Sequence, residues 1–171
     1  MKKNLIIAAI VALLVVAMAI PALAEGEIKI GQVQWAAHGT KCFAVLTVAM
    51  DGDKVAAAYI DEYQFMADTS VGVPNSDSDF GTSFPEGKVL ASKRVNTETY
   101  SASMAKAGST VALIDNYKAI EAFVAGKTVA ELEAAVAGKT AEEAVDVVSG
   151  CTLADTLGYI NGIIEAAKAA Q

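Results

Sequence analysis

The 171-residue sequence holds a single histidine, His38, and only two cysteines, Cys42 and Cys151. One histidine with no second ligand at metal-like spacing argues against a zinc-type centre. It also leaves a hydrolase short of a base, and Ser149-Gly150-Cys151 lacks the glycine pattern of a nucleophile elbow. The two cysteines either form one long-range bridge or remain two thiols, since sequence does not fix the distance between their Cα atoms. No Lys/Arg cluster is present, and with a formal net charge of −7 the chain is a poor match for nucleic acid or an anionic lipid surface. No dinucleotide fingerprint occurs. Long apolar runs are absent after Ile20, so nothing downstream is long enough to span a bilayer.

The one long apolar run sits at the start. Met1-Lys2-Lys3 is a short basic head, Leu5 to Ile20 is uninterrupted apolar sequence, and Pro21 leads into Ala22-Leu23-Ala24 before Glu25. Head, apolar core and small-residue exit predict a cleavable secretory signal over residues 1–24. The alternative, an uncleaved anchor, would need about 20 apolar residues. No cysteine follows the cut site, so a lipoprotein is not indicated. Cleavage removes two lysines and no acid, leaving 11 basic and 20 acidic residues and a net charge of −9. The remaining residues 25–171 suffice for a single domain with a real core. The expectation is a secreted or cell-envelope protein with no stable membrane span.

Patterning predicts an α+β fold, with a small antiparallel sheet packed against C-terminal helices. Ile28, Ile30, Val33 and Trp35 mark a strand within 27–38. Cys42 to Met50 alternates Phe43, Val45, Thr47 and Ala49 on one face with Ala44, Leu46 and Val48 on the other. Asp51-Gly52-Asp53 is a hairpin turn, and Lys54 to Phe65 continues as a third strand. Residues 67–87, rich in Gly, Ser, Asp and Pro, read as a long loop. Asp68, Asp77 and Asp79 suggest calcium, but the glycine and terminal glutamate of an EF-hand are missing, which favours a solvated loop. Everything beyond reads as helix. Asn96 or Thr97 caps a helix to Lys106, and Asp115 caps one ending at Gly126. Thr128 with Glu131 and Thr140 with Glu143 form capping boxes. Val-Ala-Gly-Lys-Thr occurs at 124–128 and 136–140, but Glu121 and Glu133 stand where a phosphate loop needs glycine, so both copies are helix punctuation. A last helix runs from about Leu153 to Ala169, with Leu157, Ile160, Ile163 and Ile164 as its apolar stripe.

Directly ahead of it lies Asp146-Val-Val-Ser149-Gly150-Cys151-Thr152. A carboxylate, two hydroxyls, a flexible glycine and a helix N-terminus together suit a phosphate. The same Thr152-Leu-Ala-Asp155 is also an ordinary N-cap, and helix caps are far commoner than cofactor sites.

The segment resembles the signature of the FMN-binding domain family, which occurs in exported flavoproteins and in subunits of ion-pumping Rnf and NADH:quinone reductase complexes. That pattern is Asp, two loosely specified residues, Ser or Thr, Gly, Ala, Thr, and here Asp146, Ser149, Gly150 and Thr152 match it. The resemblance implies FMN joined to Thr152 through a phosphodiester, made from FAD by a separate flavin transferase with a divalent metal. Asp146, Ser149, Gly150 and Cys151 would shape the acceptor site. Leu153-Ala-Asp155-Thr156-Leu-Gly158-Tyr159-Ile160 is similar to the helix that follows the motif in small secreted members tied to extracellular electron transfer, and the hairpin 39–65 to their first half. The likeness covers most of 30–170, although only the seven-residue motif is specific. Cys151 replaces the family's usual alanine, as a small residue, a redox-active group or half of a bridge to Cys42. The glutamate-threonine-proline-glycine region of the larger subunits has no clear counterpart.

A flavin ring needs flat apolar surface and a few hydrogen bonds. Trp35, Tyr63 and Phe65 are the stacking candidates and His38 the polar contact, although such residues more often belong to the core or surface. The reading is an electron carrier between redox partner proteins or soluble acceptors rather than a self-contained enzyme. The competing reading is a cofactor-free binding module using the 67–87 loop and the acidic surface.

Overall fold

The computed structural model describes residues 27–39, 41–75 and 81–171. The expected signal segment and the loop residues Asp77 and Asp79 lie outside them.

Four strands form one antiparallel sheet in sequence order: β1 (Ile28–Trp35), β2 (Cys42–Asp51), β3 (Lys54–Ala67) and β4 (Lys88–Ser92). Asp51 pairs with Lys54, so the β2–β3 hairpin closes over Gly52 and Asp53. Gly52 has φ 59° while Asp53 stays in the ordinary region, and a positive φ at the first central position favours glycine. A register shift between Ala49 and Met50 lets Met50 and Val55, paired across the hairpin, both reach the interior. Of the two faces of β2, Ala44, Leu46, Val48 and Met50 form the buried one.

Five helices follow: α1 (Thr97–Lys106), α2 (Leu113–Val124), α3 (Val129–Val136), α4 (Ala141–Val145) and α5 (Thr156–Lys168). Both capping boxes form as expected. Glu131 N donates to Thr128 Oγ1 at 3.2 Å and Thr128 N to Glu131 Oε2 at 2.8 Å. Thr140 and Glu143 repeat the exchange at 3.3 and 2.8 Å. In the first Val-Ala-Gly-Lys-Thr copy, Gly126 N donates to Val55 O at 2.7 Å and Val55 N to Lys127 O at 2.9 Å. The punctuation thus also docks the α2–α3 turn onto β3.

α5 lies against β1 and β2, and α2 against β3. The buried side chains of the sheet and of these helices form one core, with Leu46, Ile60, Ile120, Leu132, Ile160 and Ile163 fully covered. Among the described residues no helix is long and apolar enough to cross a membrane.

Three local expectations change. Residues 88–92 form β4 rather than entering helix, because they pair with the long free edge Tyr63–Ala67 of β3. Asn96 occupies the N-cap position of α1 without capping it. Its amide instead accepts from Val71 N and donates to Val71 O and Ser92 O, each at 2.9 Å, strapping the loop after β3 to the end of β4. α2 is preceded by Ala112, and Asp115 sits inside its first turn.

Candidate functional site

The chain leaves α4 at Asp146, and Val148 plugs the core. A tight turn follows, in which Gly150 at φ 82° lets Cys151 N reach back to Val148 O at 3.1 Å. A side chain at that φ would be strained. Asp146, Ser149 and Gly150 are exposed along this turn, whereas Cys151 points inward and its Sγ lies 3.1 Å from Thr156 Oγ1. Thr152 then returns to the surface.

Thr152 is not a helix cap. α5 begins at Thr156 with Asp155 in the cap position, and the Thr152 amide donates to Asn116 Oδ1 at 2.7 Å. Asn116 is fully buried in α2 and donates its own Nδ2 to Val111 O and Ala112 O, so a fixed amide holds the motif against the helix layer. The amides of the first turn of α5 therefore belong to later residues, and the expected phosphate cradle at Thr152 itself is corrected.

Thr152 does border a cavity of about 360 Å³. Leu153, Ala154 and Asp155 continue the wall, Tyr159 enters from α5, and Tyr100 and Met104 come from α1. At its edge His38 Nδ1 pairs with Asp155 Oδ2, tying the β1–β2 connection to the start of α5. Gly158 makes that closure possible, since a Cβ there would strike the Ala37 carbonyl.

At the cavity wall β3 places Glu62, which is completely buried, and the residue after β4 places Lys93, only 1% exposed. Their side chains form an ion pair through Glu62 Oε2. The same oxygen accepts from Tyr159 OH at 2.9 Å and Tyr117 OH at 3.5 Å, while the two phenols stand 3.3 Å apart with their rings edge to face. Among the described residues Glu62 Oε1 has no hydrogen-bond partner. Lys93 also lies over the ring of Tyr100, 4.8 Å from its centroid. Burial pulls the Lys93 ammonium down, but the hydrogen bond and charge of Glu62 outweigh it and raise it above the usual lysine value. Burial, then the charge of Glu62, pushes the Tyr117 phenol up; burial, then Tyr117 and Glu62, does so for Tyr159. Both remain hydrogen-bond donors.

Of the residues singled out in the sequence, Thr152 and His38 line this cavity together, and Trp35, Tyr63 and Phe65 do not. Strand alternation explains the last two: Ile60 and Glu62 face the core, so Tyr63 and Phe65 face outward, against Phe43 and Phe84. There burial and Asp61 push the Tyr63 phenol up to about 12. Trp35 packs partly buried near Gly162 of α5. Glu62, Lys93, Tyr117 and Tyr159 were missed, although one signal was legible: Glu62 shares the parity of Ile60 in a strand with a buried face.

Cys42 and Cys151 are both free thiols with separate surroundings. Burial, then the charge of Glu62, pushes the Cys42 thiol up. Denatured without reductant, the chain is expected to take up two equivalents of a thiol reagent. The folded chain at neutral pH should react slowly at both positions, Cys151 being buried and Cys42 poor in thiolate. A mass lower by two hydrogens under non-reducing conditions would contradict this. Among the described residues no three His, Cys, Asp or Glu side chains gather as a metal site. Comparisons with family models, with curated proteins and with solved structures find no match to this chain.

Proposed function

We propose that the chain is an exported carrier of electrons that holds FMN covalently at Thr152. The observation that carries this reading is the position of Thr152, an exposed hydroxyl on the rim of a cavity that has aromatic walls and a buried polar group. About 360 Å³ lies within the range of roughly 300–1,000 Å³ common to small-molecule pockets. Tyr100 offers ring surface, while Met104 and Leu153 supply apolar contact, with the buried Tyr159 and Leu113 behind them. These residues fit a flavin ring. The phosphodiester would stay hydrated, because Thr152 and its neighbour Ser149 are exposed and the Thr152 amide is committed to Asn116.

Attachment by a flavin transferase would form a bond between Thr152 Oγ1 and the FMN phosphorus of FAD. It would break the pyrophosphate, release AMP and lose the threonine proton to solvent. Once bound, the flavin supplies reversible electron transfer, and the chain supplies binding and shielding from water. Soluble acceptors or redox partner proteins would meet the ring at the cavity mouth. Export follows from reading residues 1–24 as a cleaved signal.

The test is co-expression with a flavin transferase of proven activity. The purified chain should be yellow and heavier by one FMN less water, and Thr152→Ala should abolish both while leaving the circular dichroism spectrum unchanged. A colourless wild type of unmodified mass would sink the proposal. It would then favour a cofactor-free binding module, a reading supported by the sheet face turned away from the helices. There Ile30, Phe43, Tyr59 and Phe65 are each more than 40% exposed.

A further inference from the structure

We infer that Glu62 recognises the edge of the bound ring, its Oε1 accepting a hydrogen bond from an uncharged N–H donor. This rests on the flavin reading, in which the donor is the imide N–H of the pyrimidine ring.

A glutamate on the core face of a strand is costly unless its oxygens are satisfied. Three donors converge on Oε2: the Lys93 ammonium and the hydroxyls of Tyr159 and Tyr117. Oε1 has none among the described residues, although the side chain is fully buried and belongs to the cavity wall. A buried carboxylate oxygen left without a donor costs more than an ordinary hydrogen bond returns. Oε1 is therefore the carboxylate atom with capacity left for a ligand; it is sealed in the cavity wall, so the ring reaches it by displacing a lining side chain.

The surroundings define the donor. Lys93 already balances the charge of Glu62, so a cationic ligand would place an uncompensated positive charge beside a buried ammonium. A neutral N–H meets Oε1 without adding charge. The partly exposed ring of Tyr100 favours a planar molecule. Lys93, Tyr117 and Tyr159 act as positioning residues, fixing the carboxylate so that Oε2 stays engaged and Oε1 remains available. A neutral glutamine at position 62 would turn its carbonyl toward those three donors and its NH₂ toward the ligand. The variant would then present a donor to a donor.

The experiment uses lumiflavin, which has the ring without phosphate, and 3-methyl-lumiflavin, in which the imide hydrogen is replaced. Both are titrated by fluorescence quenching against the full chain free of covalent flavin. Lumiflavin should bind at least about tenfold more tightly than its methylated analogue, as expected for a charge-assisted hydrogen bond. Glu62→Gln should erase that ratio. Changing the ligand keeps the test valid if the variant folds poorly, and Glu62→Gln with Lys93→Met supplies a second, charge-free background. Equal affinities in wild type, or no lumiflavin binding at its solubility limit, would overturn the inference. Absence of covalent FMN in the co-expression experiment bears only on Thr152. The tenfold preference would still support Glu62 as the ring-recognition residue, so the two failures are separable.

Discussion

Lys93→Met lowers the stability of the chain by about 3–5 kcal/mol, the usual result of breaking a buried ion pair from one side. Methionine nearly matches lysine in length, so the loss comes from charge rather than from a cavity. It leaves the Glu62 carboxylate in the interior with two phenols and the neighbouring Cys42 thiol as its donors among the described residues. At roughly 2–4 °C per kcal/mol for a domain of this size, the melting temperature should fall by about 6–20 °C. The double variant Glu62→Gln with Lys93→Met removes both charges and should recover most of the loss, giving a strongly non-additive cycle. The backbone bond from Lys93 N to Glu62 O, 2.8 Å, persists in every variant and keeps the comparison local. The ion pair also sets an alkaline limit. Lys93 is raised above its ordinary value, so its contribution is complete below about pH 10.4 and is lost as pH rises through the higher folded value. The raised phenols of Tyr117 and Tyr159 act in the same direction from about pH 10 upward. Urea unfolding at neutral pH and near pH 11 should show wild type weakening steeply, and Lys93→Met weakening less because the lysine part is already gone. A loss below about 1 kcal/mol for Lys93→Met would mean that the pair behaves as a solvated surface bridge.

The elements readable from sequence were those whose signal is local. The Asp-Gly turn, the alternation of β2 and the reciprocal Thr–Glu caps each complete themselves within a few residues. The misread elements depend on distant partners. Lys88–Ser92 is a strand because β3 runs beyond the hairpin and offers a free edge. Asn96 leaves its capping role because Val71 and Ser92 compete for its amide. The start of α5 moves from Leu153 to Thr156 because Asn116, 36 residues earlier, takes the Thr152 amide. At the candidate site the motif put Thr152 in view, but the other wall of its cavity was legible only as an anomaly of parity at Glu62. Its partner Lys93 reaches it through β4, which the sequence did not declare. Buried charge networks are non-local by construction, as each member is tolerable only where the others already stand.

Gly31→Ala should cost about 3 kcal/mol, the upper end for overpacking in a well-filled interior. Gly31 is buried in β1, where a Cβ would overlap the Ala166 carbonyl of α5 and come within 2.9 Å of the Ala170 amide nitrogen. Both obstacles are backbone, so no rotamer relieves the clash, and either β1 or the last turn of α5 must move. Its φ is not in the left-handed region, so alanine brings no conformational penalty there and would by itself stabilise by about 0.4–1 kcal/mol through the unfolded chain. The net loss is therefore steric. Gly162→Ala provides the contrast. Its Cβ would meet the Leu46 side chain and the Trp35 ring rather than backbone, and alanine gains helix propensity over glycine there, so it should cost less. Because α5 carries Tyr159 and has Asp155 in its cap position, displacing its contact with β1 also disturbs the cavity beside Thr152. Amide exchange should accelerate in β1 and the last turn of α5 first, and urea midpoints should rank wild type above Gly162→Ala above Gly31→Ala. A Gly31→Ala chain as stable as wild type would show that β1 and the last turn of α5 are not in backbone contact.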